Sequence, residues 1–309
     1  MVTALHAPIL VTGSHRSGTT WIGKILGADP SVGVIHEPFT RTCRPGIFPY
    51  RIPYWYYRMP VPPPADLVEA YENVLGFRYA YGAELRTVRS PHDLGRMVRD
   101  AGRFALYRTQ KRRPLVKDPL ALLSADRIAA VFHSSVLVTT RHPLAFVSSL
   151  TRLGWRFDFN DLLVQQDVME LLGDAAEDAV LGRKLGADDP IVEAAYLWKL
   201  LHRVIARYRE THPEFLFVRY EDLARDPGTR FAEIFSRLGL TFGDRIRKQI
   251  DFLSGEDNPS ERDNDPRVTR VASSVHAEKS LRRLSDEDRD RVRRIVDPVA
   301  SLYYSDQEW

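Results

Sequence analysis

The chain has 309 residues, 44% of them hydrophobic, enough for one large core or two smaller ones. Its 44 Lys and Arg nearly balance 41 Asp and Glu, and a surplus of +3 excludes the strongly basic profile of a nucleic-acid-binding domain. One cysteine, Cys43, excludes an internal disulfide and fits a reducing compartment, and no apolar run approaches the ~20 residues that span a bilayer.

In chain order, Ile9-Leu10-Val11-Thr12 is a short apolar run stopped by Gly13, which predicts a buried strand. The N-terminal stretch therefore reads as fold and not as a signal peptide, and the cytoplasm is the expected setting. Residues 17–26 place Trp21, Ile22, Ile25 and Leu26 at helical spacing. Val32 to Ile35 predicts a second strand. Seven prolines and six aromatics between Pro45 and Pro64 predict a shaped loop with no regular element. Leu115-Val116 begins a third strand, followed by a helix over 120–131. Ser135–Thr140 predicts a fourth, leading through Arg141-His142-Pro143 into a helix over 144–153. Residues 157–189 carry nine acidic against two basic residues, an inserted helical lid or a solvated face. A long helix over 191–209, a fifth strand over 215–219 and a terminal helix from Ser285 to Tyr304 complete the reading.

Strands alternating with helices predict an α/β fold: a P-loop-like, about five-stranded parallel sheet with helices on both faces and ligands at the strand C-terminal ends. No internal repeat or linker divides the chain. It reads as a single domain over 1–309, with a candidate acceptor-binding loop at 40–65 and a helical lid or insert at 155–190.

Gly13-Ser14-His15-Arg16-Ser17-Gly18-Thr19-Thr20, between strand and helix, has the layout of a phosphate cradle. Backbone N–H groups of the turn and helix start converge on an anion, and the glycines allow close approach. The G-x4-G spacing matches a Walker A loop, but the Lys that must follow the second glycine is missing and the cation is Arg16 instead. HRSGTTW resembles the 5′-phosphosulfate loop of sulfotransferases that use 3′-phosphoadenosine 5′-phosphosulfate (PAPS). The resemblance implies that Arg16 and the backbone of Ser17, Gly18, Thr19 and Thr20 hold the 5′-phosphate, with Arg16 also steadying the bridging oxygen as sulfate leaves.

Arg141, with Ser149 eight residues later, follows the fourth strand about 120 residues downstream. This resembles the family's 3′-phosphate motif, a strand followed by R-x7-S, and implies that Arg141 and Ser149 grip the 3′-phosphate. Arg suits this role because its fork offers paired donors to phosphate oxygens. Arg219-Tyr220-Glu221-Asp222-Leu223 resembles the family's RYEDL, which makes Tyr220 either a nucleotide contact or a packing residue. Nine Arg and Lys between Arg267 and Arg294, including Arg270, Lys279, Arg282 and Arg283, resemble the basic C-terminal segment that closes the family's nucleotide site, without the sharper G-x-x-G-x-W-K form.

Sulfuryl transfer to an alcohol needs a base for the attacking hydroxyl and cations for the charge growing on the leaving phosphate. Cytosolic steroid and phenol sulfotransferases carry the base as His in K-x-H-L-P, whereas this chain has Lys117-Asp118-Pro119 there and no His. Glu37, at the end of the second strand and 21 residues after Arg16, resembles the base Glu of the carbohydrate, heparan and tyrosylprotein branches. The tyrosylprotein branch also carries K-D-P. The resemblance thus implies Glu37 as general base and Lys117 as sulfuryl-stabilising cation, and it sets the chain nearer these and bacterial members than the cytosolic branch.

A salt-bridged carboxylate at a sheet end is the plainer role for Glu37. His36 is the second candidate base, expected on the opposite face by strand alternation. His15 and His142 read as loop structure or secondary anion contacts, and Asp118 as a turn cap. The expected activity is sulfuryl transfer from PAPS to a small-molecule, carbohydrate or glycolipid hydroxyl, with no metal, no nucleic acid and no transmembrane segment. A nucleoside or small-molecule kinase and a non-catalytic nucleotide-binding module are the alternatives. The aromatic, proline-rich loop is either an acceptor platform or packing.

Overall fold

The computed structural model describes residues 7–255, 258–259 and 271–309. Five strands, β1 (Ile9–Gly13), β2 (Val32–His36), β3 (Arg113–Lys117), β4 (Ser135–Thr140) and β5 (Leu216–Arg219), form one sheet in the order β2-β3-β1-β4-β5. Every neighbouring pair is parallel. Parallel strands need long crossovers, and these are helical: α1 (Thr19–Leu26), α2 (Ala65–Leu75), α3 (Tyr81–Leu85), α4 (Pro91–Thr109), α5 (Ala125–Phe132) and α6 (Pro143–Leu153). Then come α7 (Asn160–Leu163), α8 (Gln166–Leu172), α9 (Ala176–Leu185) and α10 (Pro190–Thr211). After β5 the chain adds α11 (Tyr220–Arg225), α12 (Pro227–Leu238), α13 (Asp244–Ser254), α14 (Ser273–Leu281) and α15 (Asp286–Ala300).

Alternation along the strands divides the core in two. Leu10, Ile35, Val116 and Val138 enter one cluster, while Ile9, Val11, Leu115 and Leu137 enter the other. The α/β sheet covered on both faces is therefore what the chain builds. With all strands running one way, their C-terminal ends share one edge, and the segments beginning at Gly13, Glu37, Asp118 and Arg141 all emerge there.

Local chemistry moves some boundaries. The helix expected over 120–131 is split into a 3-10 turn at Pro119–Ser124 and α5, because Asp118 caps the turn by accepting from Leu120 N at 2.9 Å. The terminal helix starts as expected, with Ser285 Oγ accepting from Asp288 N at 3.2 Å, but it ends at Ala300. Pro298, which has no N–H to donate, stands in its last turn. The sequence reading named no element between 65 and 112, where α2 to α4 form. The start of α4 carries a legible signal in Ser90-Pro91, with Ser90 Oγ accepting from Asp93 N at 3.2 Å.

Two segments cover the strand ends. Residues 37–64 contain no helix or strand. Their path is held by Arg44, paired with Glu84 and with Asp100 (2.7 Å), and by Arg58, paired with Asp126 at 2.9 Å. Residues 155–190 are helical, and Phe159, Leu162, Val168 and Leu171 bury themselves in the first core cluster. The stretch thus has a buried apolar side, while its acidic residues other than Asp161 are exposed or half-exposed. No helix of the described residues is long and apolar enough to cross a membrane.

Candidate active site

The turn between β1 and α1 is sharp. Arg16 (φ 67°) and Gly18 (φ 93°) both take left-handed backbone. A Cβ on Gly18 would lie 2.6 Å from Tyr220 Cδ2, so both the conformation and the contact demand glycine. Ser17 closes the turn from below, its hydroxyl meeting Thr139 Oγ1 and donating to the Ser14 carbonyl, to which its N–H also turns. At the start of α1, the N–H groups of Gly18, Thr19 and Thr20 lack intrahelical acceptors, and all three residues line the cavity described below.

The second anion motif folds onto the first. Arg141 Nη1 donates to the Arg16 carbonyl at 2.7 Å, and its guanidinium lies 4.7 Å from the centre of the Tyr220 ring. Arg16 Nε donates to Ser149 Oγ at 3.0 Å. From the C-terminal segment, α14 brings Ser280 Oγ within 3.5 Å of Arg141 Nη2. Arg267 and Arg270 of the expected basic segment lie outside the described residues. Tyr220 sits under the loop against Gly18 and Trp21, with its hydroxyl buried and without a hydrogen-bond partner among the described residues. His142 caps the start of α6, its Nδ1 accepting from Leu144 N at 3.3 Å, and burial pushes its imidazolium down to about 3.

Glu37 and Lys117 meet because β2 and β3 are sheet neighbours with His36 opposite Lys117. Glu37 N donates to the Lys117 carbonyl at 2.9 Å, and Lys117 Nζ forms an ion pair with Glu37 Oε1. The buried Lys117 stem crosses α1 at Gly23, where a Cβ would sit 3.0 Å from Lys117 Cγ. Gly23 is a site-shaping residue that the sequence reading passed over, although a glycine inside a short helix is a visible signal. Asp118 fastens the same strap, accepting from Phe39 N at 2.6 Å and from Leu120 N at 2.9 Å, and burial raises its carboxyl to about 7.

The expected opposition of His36 and Glu37 is corrected. Both line the cavity, because Glu37 leaves the strand with φ 47° and alternation ends there. His36 is open to solvent at the cavity mouth, and the surrounding protein, then the charge of Lys117, hold its imidazolium below the usual histidine value.

The cavity has a volume of about 940 Å³, within the range of small-molecule sites. Arg16, Thr19, Lys24, Glu37 and Lys117 line one part, and Trp55, Tyr56, Trp155, Phe157 and Leu120 another. The two covering segments are latched to each other beside it. Asp161 accepts from Trp55 N at 3.3 Å and pairs with Arg41 at 3.6 Å, while Gln165 Oε1 accepts from Arg58 N at 2.9 Å. Of the sequence-selected residues, Arg16, Gly18, Thr19, Thr20, Glu37 and Lys117 line this cavity, and Ser17, Arg141, Ser149 and Tyr220 stand behind the loop. Lys24 was missed, although its place one turn along α1 from Thr20 was readable. A cluster of Arg16, Arg141, Ser149 and a helix start has the donors that a doubly phosphorylated nucleotide requires. Among the described residues, no group of three or more His, Cys, Asp or Glu side chains is arranged to hold a metal ion.

A model of the sulfotransferase family matches residues 8–244, and the chain belongs to that family. It is in the broad sense a PAPS-using transferase. The fold is similar to that of the sulfotransferase domain from the curacin biosynthetic pathway, at 14% identity, 97% coverage of this chain, 98% of that one and a TM-score of 0.51. It is also similar to the sulfotransferase domain of the Synechococcus PCC 7002 olefin synthase (16% identity, 96% and 95% coverage, TM-score 0.47). A third is sulfotransferase STF9 from Mycobacterium avium (14% identity, 97% and 77% coverage, TM-score 0.45). No curated protein sequence matches the chain.

Proposed function

We propose that the protein transfers the sulfuryl group of PAPS to a hydroxyl of a small-molecule, carbohydrate or glycolipid acceptor by in-line displacement, without a covalent enzyme intermediate. The observation that carries this reading is that Arg16, held by Arg141 and Ser149, shares one cavity with the Glu37–Lys117 pair. In this reading Glu37 takes the proton of the acceptor hydroxyl as its oxygen bonds to sulfur. The bond from sulfur to the 5′-phosphate oxygen breaks, and that oxygen keeps the electron pair. Arg16 and the N–H groups from Gly18 to Thr20 hold the new charge, and Lys117 neutralises the sulfuryl oxygens during transfer. Arg141 and Ser149, with Tyr220 beneath, hold the 3′-phosphate.

The Glu base and the Lys117-Asp118-Pro119 sequence favour the carbohydrate and tyrosylprotein-like and bacterial branches. Loop 40–65 and insert 155–190 are the acceptor-binding parts of a single domain, supported by their shared wall on the cavity. A cytoplasmic setting belongs to the reading on the strength of one cysteine, Cys43, a free thiol. The test is a panel of alcohols, sugars and glycolipids with isotopically labelled PAPS. Label should pass to an acceptor with release of adenosine 3′,5′-bisphosphate; phosphoryl transfer from ATP in its place would overturn the reading.

A further inference from the structure

His15 stands between the loop that carries Arg16 and the aromatic part of the cavity, which it lines. Its ring packs against Phe146, Tyr56 and Trp155 at centroid distances of 5.1, 5.8 and 6.3 Å. Tyr56 is wholly buried and held in left-handed backbone at φ 54°, a conformation that a bulky residue keeps only where its surroundings enforce it. Two groups of His15 converge on the Tyr56 hydroxyl. The backbone N–H donates to it at 3.0 Å, and Nδ1 lies 2.5 Å from it.

The proton count then selects a tautomer. The phenol has one proton, and Nδ1 is the acceptor in reach of it among the described residues. Nδ1 is therefore bare, and the neutral ring carries its proton on Nε2. The doubly protonated ring is disfavoured, because burial and then the neighbouring Arg16 charge push its pKa down to about 3.

We propose that His15 is a further catalytic residue, donating a hydrogen bond from Nε2–H to a non-bridging sulfuryl oxygen, and that Tyr56 is the positioning residue that locks its tautomer. This rests on the PAPS reading above. No proton changes hands at His15. The ring supplies a fixed neutral donor beside the cations Arg16 and Lys117, and because it stays neutral near pH 7 its contribution does not titrate there.

Two measurements test this. Nitrogen-15 NMR of the His15 ring in the nucleotide-free protein should show the Nε2–H tautomer, and an Nδ1–H ring would overturn the lock whatever the protein's activity. In PAPS turnover, His15→Phe and His15→Asn should lower kcat ~10²-fold. His15→Gln, whose amide nitrogen reaches the Nε2 position, should recover most of that loss. Affinity for adenosine 3′,5′-bisphosphate, which has no sulfuryl group, should stay unchanged in all three. Tyr56→Phe should lower kcat in the wild-type background and add nothing to His15→Phe. A Gln variant no better than Phe, or bisphosphate affinity falling in step with kcat, would reduce His15 to loop structure. A wild-type protein that turns over no PAPS would overturn the functional reading itself, a failure that the NMR result keeps distinct.

Discussion

Arg141 Nη1 donates to the backbone carbonyl of Arg16 at 2.7 Å, so the arginine at the end of β4 braces the loop at the end of β1. The brace also pre-forms the cluster, since a guanidinium already fixed by a carbonyl and a Tyr220 ring loses little freedom when an anion arrives. Arg141→Ala should cut the preference for adenosine 3′,5′-bisphosphate over AMP roughly ten- to a hundredfold, or ~1.5–3 kcal/mol. Arg141→Lys should recover only part of it, as an ammonium lacks the fork. Calorimetry with the two nucleotides measures both, and equal affinities in the wild type would refute the assignment.

Glu37 and Lys117 form a pair, and their removal should have distinguishable consequences. Glu37→Gln should leave bisphosphate affinity nearly intact while lowering turnover ~10²–10⁴-fold. Lys117→Ala should also slow turnover, through lost charge stabilisation, and His36→Ala much less. Steady-state kinetics beside a binding isotherm separates the roles. Near-normal turnover in Glu37→Gln would leave the carboxylate as a strand-end ion pair only.

Gly18→Ala tests the loop geometry without touching any charge. The added methyl meets the Tyr220 ring at 2.6 Å in a backbone conformation that Ala resists. Bisphosphate binding should fall at least tenfold, ~1.4 kcal/mol or more. A companion Tyr220→Ala change opens the space but leaves the backbone conformation and removes the ring against Arg141, so it should not restore binding. Unchanged binding in Gly18→Ala would mean that the loop is not the anion cradle.

His202 gives stability a pH dependence. Its ring is wholly buried, stacked on Trp198 at 3.9 Å, with Nδ1 bonded to the Trp198 carbonyl at 2.9 Å and Nε2 without a partner among the described residues. Burial lowers its folded-state pKa to about 3, below the value of ~6.5 expected unfolded. The unfolded chain therefore binds the proton first. The group's stabilisation is fully present above about pH 6.5 and drains away as pH falls toward the folded value. His15 and His142 act in the same direction. Asp118, with its raised carboxyl, acts oppositely, but with three histidines against it thermal unfolding should show a lower midpoint at about pH 5 than at about pH 7. His202→Phe, which keeps the stack and removes the titrating nitrogen, should shrink that drop. An identical drop in the variant would exclude His202 as a contributor.

The elements that the sequence announced are those whose signals are local. Ile9 to Gly13 and Ser135 to Thr140 are apolar runs ended by turn residues, and each hands directly to a loop and helix, so strand, anion motif and helix lie within about twenty consecutive residues. Arg16, Gly18 and Arg141 stand out for that reason: the motifs that mark them are short, although their contacts with Ser149, Tyr220 and each other are distant in sequence. The start of the terminal helix was legible in Ser285 and Asp288, while its end, decided by what packs after Pro298, was not.

By itself, then, the sequence determined an alternating α/β chain with two strand–turn–helix motifs of anion-cradle layout, because backbone direction and short-range spacing are enough for both. Only the tertiary structure decided what those turns face. Lys117 reaches Glu37 because sheet order makes β2 and β3 neighbours, a pairing across 80 positions that no local pattern encodes. Tyr56 reaches His15 because Asp161, Gln165, Arg44 and Arg58 hold an irregular loop against the helical insert, through hydrogen bonds and ion pairs distant in sequence. His36 faces the cavity with Glu37 because one left-handed residue breaks the strand's alternation, where Glu37 N bonds the Lys117 carbonyl at the end of β3 and Phe39 N bonds the Asp118 carboxyl just beyond it.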